Sequence, residues 1–180
     1  VEPFNERRDK PLPDDTERGQ FDLMVVGDFG HGLIADSKEA NVLARAYGPA
    51  KPYVALTCQS NSLNWGFNTL NKWHKADFVV VDEEELRLAC GQRHWGGHDM
   101  RWWIVHEYRR LGCKAVCVTL GHKGGLLYAG ADTWVEAPAL AERIVDRMGA
   151  GDAFLSYAAP LACVGAPPDI IALVGSVASA

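Results

Sequence analysis

Four short apolar runs stand out along the chain: DLMVVG at 22–27, PYVALT at 52–57, DFVVVD at 77–82 and KAVCVT at 114–119. Each is too short for a stable helix and rich in β-branched residues, so each predicts a strand, and their continuous rather than alternating apolarity predicts burial on both faces. Between and beyond them the apolar positions recur every three to four residues, which predicts helices near 34–47, 83–90, 98–111, 150–164 and 168–180. Strand alternating with helix implies a parallel sheet with helices packed on it. A shorter pair of runs at 125–129 and 132–136, joined across Gly130, predicts a β-hairpin on the edge of that sheet.

The first twenty residues break the pattern. They combine many charges with Pro3, Pro11 and Pro13, a composition suited to an exposed loop or linker, so the folded domain is expected over 21–180. The chain starts at Val1 and ends on an apolar helical pattern without a stop signal, so it reads as cut at both ends.

Composition narrows the function classes. With 180 residues, 48% of them hydrophobic, one domain with a real core is expected. A net charge of -5, with Lys and Arg scattered, offers no basic footprint for nucleic acid or an anionic membrane surface. No apolar span approaches the roughly 20 residues a membrane helix needs. Five cysteines without a C-x-x-C pair, mostly inside apolar runs, read as buried reduced thiols and point to the cytoplasm.

In an open α/β sheet, ligands bind beyond the carboxyl ends of the strands, so the loops there carry the candidate chemistry. After the first strand, GDFGHG (27–32) lets backbone approach a ligand closely, with Asp28 and His31 as polar heads; a plain tight turn is the alternative. Its Asp-Phe-Gly triplet is not a protein-kinase motif, because no H-R-D loop accompanies it, and its glycines lack the dinucleotide spacing. After the third strand, Asp82 and Glu85 fall on one face of a first helical turn, where simple capping also explains them. After the fourth, TLGHKGG (119–125) is a glycine-rich bend without P-loop spacing.

The most specific stretch is DRMGAGDAF (146–154). The amides of Gly149, Ala150 and Gly151 at the mouth of a helix form an anion-binding nest, reinforced by the helix dipole. An acid in the same turn, Asp152, would repel that anion unless it has a proton to take. Base beside nucleophile, with a positive pocket around the moving group, is what phosphoryl transfer requires. The alternative is a turn shaped by glycine with Asp152 as a cap.

DRMGAGDAF resembles the second signature of the PfkB (ribokinase-like) carbohydrate kinases. VTLGHKGGLLY (118–128) resembles that family's nucleotide-side strand and loop, and VDEEELRLACG (81–91) the segment that usually carries Asn-x-x-Glu. DLMVVGDFGHG (22–32) is similar to the S-D-Y-G-K-G region of the heptose 7-phosphate kinase branch. The likeness covers about residues 21–180, roughly the C-terminal two thirds of such a kinase, so the family's first strands, lid and sugar-binding residues are expected outside this sequence.

The resemblance implies an α/β, ribokinase-like three-layer sandwich, with a mostly parallel sheet and helices on both faces. It implies ATP-dependent phosphotransfer, with Mg2+, to a hydroxyl of a sugar or sugar phosphate. Asp152 would be the base and Gly149, Ala150 and Gly151 the anion hole. Thr119, Gly121 and Lys123 would contact ATP, Glu85 and Asp82 would organise magnesium, and Asp28 and His31 would face the substrate. Two departures are plain: Asp82 replaces the usual Asn, and LTCQSNSLNWGFN (56–68) lacks the branch's Asp-Pro-Lys pattern. The alternatives are a degenerate binding or regulatory domain, with a nucleotidyltransferase domain fused or as partner, and a nucleoside kinase. A homo-oligomer is a further expectation.

Overall fold

The computed structural model describes residues 21–31, 34, 52–60, 65–94, 99–140 and 149–180. The linker expected over 1–20 lies outside the described residues, as does the helix expected near 34–47 apart from Ile34.

Six strands form one sheet in sequence order: β1 (Leu23–Asp28), β2 (Tyr53–Cys58), β3 (Phe78–Asp82), β4 (Ala115–Thr119), β5 (Gly125–Tyr128) and β6 (Trp134–Ala137). The first four pair in parallel; β5 and β6 run antiparallel and close the sheet as the expected hairpin. The hairpin turns at Ala131 and Asp132, both at positive φ, with the Thr133 amide donating to the Gly130 carbonyl at 2.8 Å. Two left-handed central residues give the turn the twist that antiparallel strands need. Gly130 flanks it because a Cβ there would run into the Tyr108 hydroxyl.

Four helices are described: α1 (Glu83–Ala89), α2 (Met100–Leu111), α3 (Ala150–Cys163) and α4 (Pro168–Ala178). Asp99 caps α2 through the Trp102 amide, and Gly112 ends it in the left-handed conformation. Pro168 opens α4, where its missing N–H costs nothing.

Strand alternation divides the core into two layers. Leu56, Val79, Val81, Val116 and Val118 face Leu86, Ile104, Leu111 and the fully buried Trp73. Ala55, Phe78, Val80, Cys117 and Leu127 face Phe154, Leu155, Ala158 and Ala159 of α3 and Ile171 and Ala172 of α4. The result is the three-layer sandwich, α1 and α2 on one face and α3 and α4 on the other. The alanines of α3 let it approach the sheet closely. Gly175 does the same for α4, since a Cβ there would sit 2.5 Å from the Phe154 ring.

All five cysteines are free, with Cys58, Cys113 and Cys117 buried and Cys90 and Cys163 partly so. Among the described residues no helix is long and apolar enough to cross a membrane.

Candidate functional site

Because β1 to β4 are parallel, their carboxyl ends share one edge, and the N-terminus of α3 arrives at that edge. A long-range hydrogen bond links the two: Gln59 Nε2, just past β2, donates to Asp152 Oδ1 at 2.8 Å.

Gly149 caps α3 at φ 83°, a left-handed conformation that favours glycine. The Ala153 amide closes the first turn on the Gly149 carbonyl at 2.8 Å, so the amides of Ala150, Gly151 and Asp152 have no acceptor within the helix. A Cβ built at Gly149 or Gly151 meets nothing within 4 Å, so the space before this turn is open and bounded by backbone. Positive potential and unpaired donors in an open place suit an anion. Asp152 stands in the same turn, half-buried, and burial raises its carboxyl above the usual range. A carboxylate raised this way is a better proton acceptor at neutral pH.

Asp82 and Glu85 form a reciprocal capping box at the start of α1: Asp82 Oδ1 accepts from the Glu85 amide at 2.7 Å, and Glu85 Oε2 from the Asp82 amide at 2.9 Å. The second Glu85 oxygen accepts from the Ser60 amide at 3.3 Å, tying α1 to the loop that carries Gln59. Burial, and then the charges of Asp82 and Asp152, push the Glu85 carboxyl up to about 7. Asp82, Glu85 and Asp152 therefore lie near enough at this edge for their charges to act on Glu85. Among the described residues no cluster of three or more His, Cys, Asp or Glu converges as direct metal ligands would.

Thr119 ends β4 directly beside Asp82 in the strand register. Gly121, at φ 58°, starts a 3-10 turn over Gly121–Lys123, and Lys123 is exposed. Gly124 follows at φ 83°, where a Cβ would collide with the Ala137 carbonyl. Lys123 also lines a cavity of about 700 Å³ between α2 and the hairpin, with Met100, Arg101, Leu126 and Pro138; neither Asp152 nor Glu85 borders it. We therefore centre the site on the carboxyl edge, where the acids and the helix N-terminus meet.

His31 is exposed, its ring 6.2 Å from that of Phe29. Asp28 differs from expectation. The strand runs one residue further than its pattern indicates, so Asp28 lies inside the ladder opposite Cys58 and is 3% exposed. Lys72 Nζ reaches Asp28 Oδ2 at 2.5 Å, Trp73 Nε1 donates to the same oxygen at 3.0 Å, and the Gly30 amide donates to Oδ1 at 3.2 Å. Among the described residues the partners of Asp28 are all internal, so its side chain helps to hold the fold.

Sequence reasoning passed over Gln59, Ser60, Asn68 and Lys72, which together hold the β2 loop. The available signal was the position of Gln59 and Ser60 just beyond a strand's carboxyl end.

An α/β sandwich with an acid in the first turn of a helix at its carboxyl edge is an arrangement that phosphoryl transfer can use. The pfkB family carbohydrate kinase model matches residues 38–162, and the chain belongs to that family. It is 36% identical over 80 residues to the aminoimidazole riboside kinase of Salmonella typhimurium, a stretch covering 44% of this chain and 23% of that one. Among solved structures, the tetrameric inhibited form of Escherichia coli phosphofructokinase-2 superposes with a TM-score of 0.70 at 15% identity, over 87% of this chain and 50% of that one. Arabidopsis thaliana ribokinase complexed with ribose and ATP gives 0.63 at 21% identity, over 79% and 45%. A putative sugar kinase from Clostridium perfringens gives 0.69 at 18%, over 92% and 50%. At these identities the structures show the shared ribokinase-like fold. The chain spans about half the length of these structures rather than two thirds.

Proposed function

We propose that the protein transfers the terminal phosphoryl group of ATP to a hydroxyl of a sugar or sugar phosphate, in the cytoplasm. The observation that carries this reading is the first turn of α3, where unpaired amides and the half-buried Asp152 share one open face. Asp152 takes the proton of the acceptor hydroxyl as the new O–P bond forms and the bond to the ADP oxygen breaks. The amides of Gly149, Ala150 and Gly151 stabilise charge on the moving phosphoryl group, as preorganised donors do. Magnesium, when bound with the nucleotide, neutralises phosphate charge, and Glu85 and Asp82 hold its waters. Thr119, Gly121 and Lys123 serve the nucleotide, and His31, exposed beyond β1, serves a phosphate on the acceptor.

A riboside acceptor is the second reading, favoured by the 36% identity to an aminoimidazole riboside kinase.

An acceptor panel tests both readings. Ribose, fructose 6-phosphate, heptose 7-phosphate, aminoimidazole riboside and adenosine are each offered with Mg2+ and ATP, and ADP release is followed. Release that depends on a sugar or sugar phosphate supports the main reading, and release confined to the ribosides supports the second. ADP release that no acceptor stimulates contradicts both.

A further inference from the structure

Gln59 is fixed at both ends of its own backbone. Its amide donates to the Asp28 carbonyl at 2.8 Å, and its carbonyl accepts from Asn68 Nδ2 at 3.0 Å. Asn68, 4% exposed, donates from the same nitrogen to the Asp28 carbonyl at 3.0 Å, and its Oδ1 accepts from Lys72 Nζ at 2.6 Å. Lys72 in turn bridges to the buried Asp28 carboxylate, so the loop hangs from a connected polar network below the sheet edge. From this anchor the Gln59 side chain reaches 93 residues along the sequence to Asp152 Oδ1.

We infer that Gln59 is a positioning residue for phosphoryl transfer, its side-chain amide fixing the Asp152 carboxylate so that one oxygen is occupied and the other meets the acceptor hydroxyl. This rests on the reading of Asp152 as the base. An amide beside a carboxylate can only donate through its NH2, so the contact restricts carboxylate rotation and favours the charged form. Burial and the charge of Glu85, with Asp82 behind it, act in the opposite direction. Cys58 and the Asp28–Lys72 pair lie buried beneath. Asp22, Tyr53 and Asp77 stand at the amino ends of the strands under α3, and Asp169 opens α4 past the far end of α3. Gln59 is thus the donor through which the β2 loop sets both the direction and the basicity of Asp152.

Two variants test this, Gln59→Leu, which keeps the bulk and removes the donor, and Gln59→Glu, which sets a second carboxylate against the first. The Asp152 carboxyl is titrated by 13C NMR without ligand, and turnover is measured with the acceptors of the panel above; melting temperature confirms the fold. Gln59→Leu is expected to raise the Asp152 midpoint by roughly 0.5–1 unit and Gln59→Glu by more. Turnover falls about tenfold in Gln59→Leu and further in Gln59→Glu, with the KM for ATP within twofold of the parent. An Asp152 midpoint unchanged in both variants overturns the inference, as does a KM effect without a kcat effect. Those results leave the base assignment standing. Asp152→Asn with parental turnover removes the assignment itself, whatever Gln59 does.

Discussion

Two acids at the same edge of the sheet have opposite surroundings. Asp28, at the end of β1, is closed off and meets Lys72, Trp73 and the Gly30 amide with both oxygens. Asp152, in the first turn of α3, is half-buried and, among the described residues, takes its side-chain donor from Gln59. A buried carboxylate whose partners are all internal has no capacity left for a substrate, and its energy goes into fixing the loops around it. A carboxylate with one fixed oxygen and one open oxygen is restrained yet still able to accept a proton. The chemistry of this edge therefore divides by satisfaction rather than by residue type, and Asp28 supports what Asp152 does through Asn68 and Gln59.

Substitutions at the two positions should separate accordingly. The largest effect is on rate. Asp152→Asn should lose about 10²–10⁴-fold in turnover, or ~3–5 kcal/mol of barrier, while melting close to the parent because Asn keeps the size and an Oδ1 that can accept from Gln59. Asp28→Ala should do the reverse in kind. It takes the carboxylate from Lys72, which keeps only the neutral acceptors Asn68 Oδ1 and the Ile34 carbonyl, and from the Trp73 N–H, at a cost of about 3 kcal/mol, the lower end for breaking a buried pair because Lys72 retains some exposure. Chemical denaturation would show it as a lower midpoint, and a midpoint at the parental value would break the comparison from the Asp28 side.

Glu85 lies between the two cases and gives the smallest effect. Its carboxyl is raised in the folded protein to about 7 from an ordinary 4.5, so the folded state holds the proton more tightly than the unfolded one. Protonated Glu85 carries no penalty; ionised Glu85 does, so its cost to stability appears as pH rises from about 4.5 through 7. Glu85→Gln, which keeps the capping geometry, should melt above the parent at pH 8, and that difference should vanish towards pH 4.5. The same variant should need more Mg2+ for half-maximal turnover at fixed ATP, with apparent acceptor binding little changed. An unchanged Mg2+ midpoint would return Asp82 and Glu85 to capping alone.

The fold was legible because β-branched runs such as DFVVVD cannot be mistaken for surface helices, and the ends of the four parallel strands moved by at most one residue. At β1 that one residue mattered: it carried Asp28 from the expected loop into the ladder, where it is buried against Lys72 and Trp73. The first turn of α3 was legible because Gly-Ala-Gly before an acid places its chemistry within four consecutive residues. Gln59, Asn68 and Lys72 were not, since their roles arise from contacts across 93, 40 and 44 positions that no local period encodes. Asp82 with Glu85 was legible in both of its meanings, and the structure builds the capping box while leaving the magnesium role to experiment.

The central claim, that Asp152 accepts the proton beside an anion-holding helix turn, is tested most directly by measuring ATP affinity and turnover on one folded preparation of Asp152→Asn. Removing a negative group next to the nest lowers repulsion toward phosphate, so ATP should bind as tightly as in the parent or slightly more tightly while turnover falls at least a hundredfold. Turnover within a few-fold of the parent at equal ATP affinity would contradict the account and leave Asp152 as a structural partner of Gln59.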